Sequence, residues 1–358
     1  MQYKKAEDLF FNSFGRKAQS HQFSPGRVNL IGEHTDYNGG LVLPTALEFG
    51  LNIALSPRTD NKVNIVSNIF DDMGQRTLDE GAINHWSDYA LGSLVYADQT
   101  GLITGGADVA ISSSLPDGAG LSSSSALIVG LLKLCRSLGH QDTHDIEIAK
   151  LARRVENEFI GVPCGIMDQI AIAIAKPGKA ILLDTKTLGY EVIPLHDTHD
   201  MMVIHSGHYR QLNEGRYKER KEECDVIKTA LGREDLCLMS DTELEALNGL
   251  PDHILRRAKH CVSEHRRTER AALALKQGDM KNFGYLMTGS HISMRDDFEI
   301  TISEIDSLVD DAVTLGALGA RMTGGGFGGC IVACVPSENT KSWTEALLAK
   351  HPKAFNVS

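Results

Sequence analysis

No stretch of this sequence stays apolar long enough to cross a bilayer. The longest apolar run, Leu127 to Cys135, is interrupted by Lys133 and falls far short of the roughly 20 residues that a spanning helix needs. Basic charge is scarce as well. Lys and Arg number 36 against 47 Asp and Glu, a net charge of -11 over 358 residues, whereas binding a phosphate backbone or an anionic membrane requires clustered basic surface. Nucleic-acid and membrane partners are therefore not expected, and small molecules are. The seven cysteines include no Cys-x-x-Cys pair, which removes the pattern of a four-ligand zinc site or a disulfide framework. None of the 14 histidines falls in an HExxH spacing, so no bound transition metal is expected. Met1 to Gly15 carries Lys4, Lys5, Glu7 and Asp8 and lacks the apolar core and cleavage site of an export signal. A cytoplasmic protein with reduced thiols, monomeric or weakly oligomeric, is the expectation.

Neither a repeat nor a low-complexity linker interrupts the chain, and Gly and Pro gather in a few short clusters. Ala107 to Leu115 alternates like a strand and runs into Pro116-Asp117-Gly118-Ala119-Gly120, after which Leu121 to Leu138 reads as a helix. From Asp145 to Phe159, apolar Ile146, Ala149, Ala152, Val155 and Phe159 recur every three or four residues, which predicts one helix with a buried face and Glu156 beside it. Lys179 to Asp184 and Met201 to His205 read as strands, and Glu214 to Leu231 and Arg256 to Lys276 as long helices. The class is mixed α/β (α+β). A change to mainly helical segments near Thr198 places the lobe boundary there, giving an N-terminal lobe of residues 1–197 and a C-terminal lobe of residues 198–358.

Four segments concentrate chemistry. Gly118-Ala119-Gly120-Leu121-Ser122-Ser123-Ser124 puts small residues at a helix start, where unpaired N–H groups and the helix dipole favour a phosphate. It lacks the lysine of a Walker A loop, and a plain Gly-Ser turn is the alternative. Ser24 to Gly40 packs Arg27, Glu33, His34, Thr35 and Asp36 between glycines. That density suits several sugar hydroxyls, or else a solvated hydrogen-bonded turn. Asp168 stands as one acid in the apolar, glycine-flanked stretch Gly161 to Gln169, where a carboxylate must be paired or functional, and is a candidate base. Met322 to Cys330 holds five glycines ahead of the strand-like Ile331 to Val335, as a substrate-covering loop does.

Together these segments resemble the galactokinase family of the GHMP kinases. GRVNLIGEHTDYNGG is similar to the galactokinase signature itself, LPDGAGLSSSSAL and TGGGFGGC to the phosphate loop and third motif of the wider superfamily, and GIMDQ and Ser293 to Glu299 also look galactokinase-like. The resemblance implies a two-lobed GHMP-kinase fold with the active site between N- and C-terminal lobes, and an ATP-dependent sugar 1-kinase that makes galactose 1-phosphate and ADP. Carried over residue by residue, Asp168 matches the proposed base and Arg27 the proposed transition-state stabiliser. Glu33, His34, Thr35, Asp36, Gly165 and Tyr217 match the sugar-binding positions, and Gly118 through Ser124 the phosphate loop. Trp86 and Tyr89 match the aromatic pair near adenine, and Ser124 and Glu156 the Mg²⁺ positions.

Departures from the family pattern occur at His205-Ser206-Gly207, where Asn-Ser-Asn is more frequent, at Arg220-Lys221 in place of Arg-Arg, and at Ser125-Ala126 in place of Ala-Ser. The competing readings are a sugar 1-kinase for N-acetylgalactosamine, galacturonate or arabinose, a non-catalytic galactose sensor, and a superfamily decarboxylase. The intact Asp168, Arg27 and serine run weigh against the sensor, and the polar GEHTDY cluster against the decarboxylase.

Overall fold

The computed structural model describes residues 4–116, 119–209, 214–247 and 249–358. In chain order its first elements are α1 (Lys4–Phe14), β1 (Ser20–Asn29), β2 (Leu41–Val42), β3 (Pro44–Pro57), β4 (Lys62–Ser67), β5 (Gly74–Thr77), α2 (Asp88–Gln99) and β6 (Ala107–Ser113). There follow α3 (Ser123–Leu138), α4 (Asp145–Arg154), α5 (Met167–Ile174), β7 (Lys179–Asp184), β8 (Tyr190–Pro194) and β9 (His199–His205). The remainder is α6 (Glu214–Leu231), α7 (Asp241–Ala246), α8 (Asp252–Gln277), α9 (Met280–Asp296), α10 (Ser303–Thr314), β10 (Gly319–Thr323), β11 (Cys330–Pro336), α11 (Thr340–Lys350) and β12 (Phe355–Asn356). Among the described residues no helix is long and apolar enough to cross a membrane.

Two compact units result. One comprises the chain through Arg27, Leu47–Leu115 and Ser122–Ile174, and the other Val28–Ala46, Pro116–Leu121 and Ala175–Ser358. The boundary expected near Thr198 therefore falls at the start of β9, inside the second unit, and the division is interleaved along the chain. In the first unit Leu51–Pro57 of β3 pairs antiparallel with β6, which lies parallel to β4, which pairs antiparallel with β5. The alternation read at Ala107 appears as β6, and α1 seals this sheet by burying Ala6 and Phe10 against Ala54, Val66 and Ala110. In the second unit β10, β11, β9 and β12 form an antiparallel sheet in that order. The unbroken apolar run of β11 is buried along almost its whole length, as a strand covered on both faces must be. Met202, Ile204, Ile331, Ala333 and Val335 enter one core with Phe298 and Ile305. Helix α9 comes so close to β10 that a Cβ on Gly319 would strike the Gly284 carbonyl, so both positions require glycine.

The helix expected over Asp145–Phe159 is two elements. Helix α4 stops at Arg154, and Val155–Ile160 forms a wide π-helical turn closed by Gly161 in the left-handed region at φ 83°. Apolar spacing of three or four residues over so short a stretch fits either helix type, so the sequence pattern does not distinguish them. The wide turn carries Glu156, consistent with the tendency of such turns to mark functional sites.

Candidate active site

The first unit gathers Arg27 from the end of β1 and Asp168 from the first turn of α5. Arg27 Nε donates to Asp168 Oδ1 at 2.7 Å and Nη2 to Oδ2 at 2.6 Å, a two-point fork that fixes both groups. The arginine side chain is nearly buried, whereas that of Asp168 keeps 27% of its surface exposed. Ser122 also donates to Asp168 Oδ2. It does so from the left-handed region, φ 60° and ψ 47°, just ahead of α3. A non-glycine residue held there is strained, and such strain is retained where the surroundings dictate it.

Glu156 lies 6% exposed. Its Oε1 accepts from Ser124 Oγ at 3.0 Å and from Ser125 Oγ at 3.1 Å, and its Oε2 accepts from Ser125 and from the Gln169 amide. Burial raises its carboxyl above the ordinary range, the charge on Asp168 raises it further, and these hydrogen bonds oppose the shift. Among the described residues no Lys, Arg or His pairs with Glu156. Residues Ala119, Gly120 and Leu121 lead into α3, with Gly120 at φ 72°, and the first turn of α3 carries no acid. Gly118 lies outside the described residues. Ser123 and Ser124 open α3 itself. Gly165 is buried just ahead of α5. Trp86 stacks on Phe70 with ring centroids 4.9 Å apart and an 11° tilt, and its Nε1 donates to Asp72 Oδ1 at 3.0 Å. Tyr89 is the second residue of α2 and is half buried. The loop before α2 is pinned by Asp88, which accepts from the Ile83 and His85 amides and pairs with buried Arg76 at 2.8 Å.

The second unit holds the turn that begins at Gly32. A Cβ on Gly32, at φ 96°, would come within 2.9 Å of the Val42 backbone, so glycine is obligatory. Glu33 is 3% exposed, with Oε1 accepting from the Gly324 amide at 2.9 Å and Oε2 from Arg321 Nη2 at 2.7 Å. His34, also left-handed at φ 59°, has Nδ1 2.6 Å from the Tyr37 hydroxyl and its ring 5.2 Å from that of Tyr217 on α6. Thr35 is fully buried, its hydroxyl engaged with the Gly32 and Leu41 carbonyls at 3.0 and 2.8 Å. Asp36 is half buried and starts a short 3₁₀ turn. The structure thus unites Arg27, Asp168, Ser122, Ser124 and Glu156 in one unit, and Glu33, His34 and Tyr217 in the other.

An arginine–carboxylate fork and serines at a helix start in one unit, and a clamped polar turn in the other, suit a small-molecule kinase of the GHMP type. Matches to known families agree. Residues 8–57 match the galactokinase galactose-binding signature, 88–176 the GHMP kinases N terminal domain, and 271–345 the GHMP kinases C terminal domain. The structure of Methanococcus jannaschii mevalonate kinase superposes with a TM-score of 0.70 at 22% identity, covering 95% of this chain and 98% of that one. A D-glycero-D-manno-heptose 1-phosphate kinase from Bacteriodes thetaiotaomicron gives 0.64 at 16%, covering 92% of each chain. Both share the fold. Lactococcus lactis galactokinase, solved with galactose, gives a TM-score of 0.92 at 33% identity over 99% of this chain and 97% of that one. This chain belongs to the galactokinase family.

Several polar residues escape a sequence reading. Gln169 and Ser125, both buried, hold Glu156; the first lies within the quoted GIMDQ, but nothing in its spacing links it to Glu156. His260 and Glu264 lie on α8 among many charges, with nothing to single them out. Yet His260 Nε2 donates to the Glu33 carbonyl at 3.1 Å, and Glu264 Oε1 accepts from the Gly32 and Glu33 amides at 3.0 and 3.3 Å and from Ser290 Oγ at 2.5 Å. Burial pushes the Glu264 carboxyl up, but the Arg267, His260 and Arg321 charges and the Ser290 hydroxyl outweigh it and bring it down to about 2. Burial holds His260 itself below its ordinary value, against the pull of Glu264 and of the Glu33 carbonyl.

A depressed carboxyl adds stability above its unfolded value, 4.5 for glutamate, and loses it as pH falls towards about 2. Glu264→Gln is expected to be less stable than wild type by on the order of 3 kcal/mol at pH 7, with the gap closing as pH drops from 4.5 towards 2. Urea unfolding at pH 7, 4.5 and 3 measures this, and a gap that stays constant would show that the carboxylate charge is not what matters.

Proposed function

We propose that this chain moves the γ-phosphoryl group of ATP onto the anomeric hydroxyl of galactose, giving galactose 1-phosphate and ADP. The Arg27–Asp168 fork, with Ser122 on the same carboxylate, is the observation that carries the reading. In it a partly exposed carboxylate oxygen takes the proton of the sugar hydroxyl as that oxygen attacks phosphorus, and the proton ends on Asp168. Arg27 places a guanidinium beside the same oxygens, where it offsets charge developing on the transferring group. Phosphoryl transfer asks for positioning and charge compensation more than covalent chemistry. Gly118 through Ser124 are assigned to the phosphates, since Ser122, Ser123 and Ser124 stand at a helix start free of acids, where backbone amides favour an anion. Trp86 and Tyr89 are assigned to the adenine.

Ser124 and Glu156 are assigned to Mg²⁺. The pair fits a hard cation, because two oxygens lie 3.0 Å apart and the buried carboxylate has no cationic partner among the described residues. No cluster of three or more His, Cys, Asp or Glu residues suited to a metal occurs among them, so most of the coordination shell falls to ATP and water. When bound, Mg²⁺ neutralises phosphate charge. Glu33, His34, Asp36, Gly165 and Tyr217 are assigned to the sugar, and Thr35 to the same site through the turn its hydroxyl closes.

Galactose and glucose differ only at C4, and a site whose polar groups are satisfied by one hydroxyl arrangement leaves partners unpaired when it is inverted, at roughly 1–3 kcal/mol each. ADP release across a hexose panel is expected to favour galactose over glucose by on the order of a hundredfold in kcat/KM. Comparable values, or turnover only with an N-acetylated or acidic sugar, would overturn the substrate assignment. Asp168→Asn should lower kcat by orders of magnitude while ATP binding, followed by calorimetry, stays near wild type. Near-normal turnover would remove Asp168 from the chemistry. Ser124→Ala and Glu156→Gln should each shift the Mg²⁺ dependence to higher concentration, since each withdraws one oxygen ligand, and an unchanged Mg²⁺ titration would sink that assignment.

A further inference from the structure

Arg321 is one of the two largest fully buried side chains of the described residues, at 0% exposure. It stands on β10, three residues ahead of the glycine run that starts at Gly324. Its Nη1 donates to the Asn29 carbonyl at 2.9 Å and its Nη2 to Glu33 Oε2 at 2.7 Å. Thr323 Oγ1 donates to the same Asn29 carbonyl at 3.1 Å, and the Gly324 amide to Glu33 Oε1 at 2.9 Å. Residues 321, 323 and 324 therefore converge on Asn29 and Glu33. They hold the two carboxylate oxygens of Glu33 from separate atoms, which stops the group from turning about its last bond.

We propose that Arg321 is a positioning residue for sugar recognition: it fixes the Glu33 carboxylate so that a lone pair on it meets one particular hydroxyl of the substrate. The inference rests on Glu33 being a sugar ligand. A carboxylate has a capacity of about four lone-pair sites, more than the three that Arg321 Nη2, the Gly324 amide and, at 3.4 Å, Asn29 Nδ2 engage. Because its direction is set in advance, that capacity discriminates between hydroxyl positions rather than adapting to them. Lysine keeps the charge but has no fork to span Asn29 and Glu33 together. Arg321 touches no substrate in this account, and it acts through Glu33.

The test compares wild type, Arg321→Lys, Arg321→Gln and Glu33→Gln, with galactose and a set of galactoses each lacking one hydroxyl. Glu33→Gln should lower kcat/KM for every sugar except the one missing its partner hydroxyl. Arg321→Lys should reproduce that profile, with a loss of about tenfold to a hundredfold for galactose, little or none for the same deoxy sugar, and KM for ATP within about twofold of wild type. Arg321→Gln should show the profile more strongly. If a variant is too unstable for kinetics, the rise in unfolding midpoint caused by saturating galactose and by ATP is read instead, and the galactose effect alone should shrink. A uniform loss over all sugars and ATP, or a lowered midpoint with an unchanged sugar profile, would mean that Arg321 only staples the fold. Should Glu33→Gln itself leave the profile flat, the sugar assignment of Glu33 falls and this inference with it. A changed profile in Glu33→Gln alone overturns only the part given to Arg321.

Discussion

A carboxylate withdrawn from water survives only where donors or cations replace its hydration, and this chain withdraws three, Glu156 in one unit and Glu33 and Glu264 in the other. Glu264 is fully buried and takes amides, a serine hydroxyl and the Arg267 guanidinium. Glu33 takes a backbone amide and Arg321. Among the described residues Glu156 takes only neutral donors, from two serines, a glutamine and the Cys164 thiol. The first two are anchored as anions by arginine. The third is raised by its burial and by Asp168 and is the one that a bound cation would relieve.

The same demand explains the unusual backbone around these groups. Gly32 and His34 are both left-handed, which swings the intervening Glu33 inward and turns the Gly32 and Glu33 amides onto Glu264. Ser122 adopts a left-handed conformation immediately before a helix and thereby reaches Asp168. The π-helical turn at Val155–Ile160 brings Glu156 towards the serines of α3. Each distortion costs locally and is accompanied by a hydrogen bond to a side chain that a regular helix or strand would not make.

Segments with strong periodicity were legible without coordinates. Lys179 to Asp184 and Glu214 to Leu231 coincide with β7 and α6, because alternation and helical spacing record which face is buried. The glycine-flanked motifs also marked Asp168, an acid in apolar surroundings that requires a partner, and Arg27 and Glu33, by the density of polar groups between glycines, whereas Glu156 was marked by its place beside a helical stripe and by the family resemblance. The π turn was not legible, nor was the interleaved division into units. The first falls below the resolution of apolar spacing, and the second depends on where β1 and β3 leave one unit for the other.

By itself the sequence determined the class of chemistry: small residues at a helix start for phosphate, a polar turn dense enough for hydroxyls, one acid in an apolar stretch, and family motifs in order. Those signals are local, because each is carried by neighbours in the chain. Which group partners which was decided only by the tertiary structure. Arg27 and Asp168 stand 141 residues apart, Ser124 and Glu156 32 apart, and Glu33 and Arg321 288 apart. No propensity or spacing links positions so distant. They meet because β1, α3, α5 and β10 are carried to their places by hydrophobic packing, which selects faces of helices and strands and leaves no trace at the polar residues themselves.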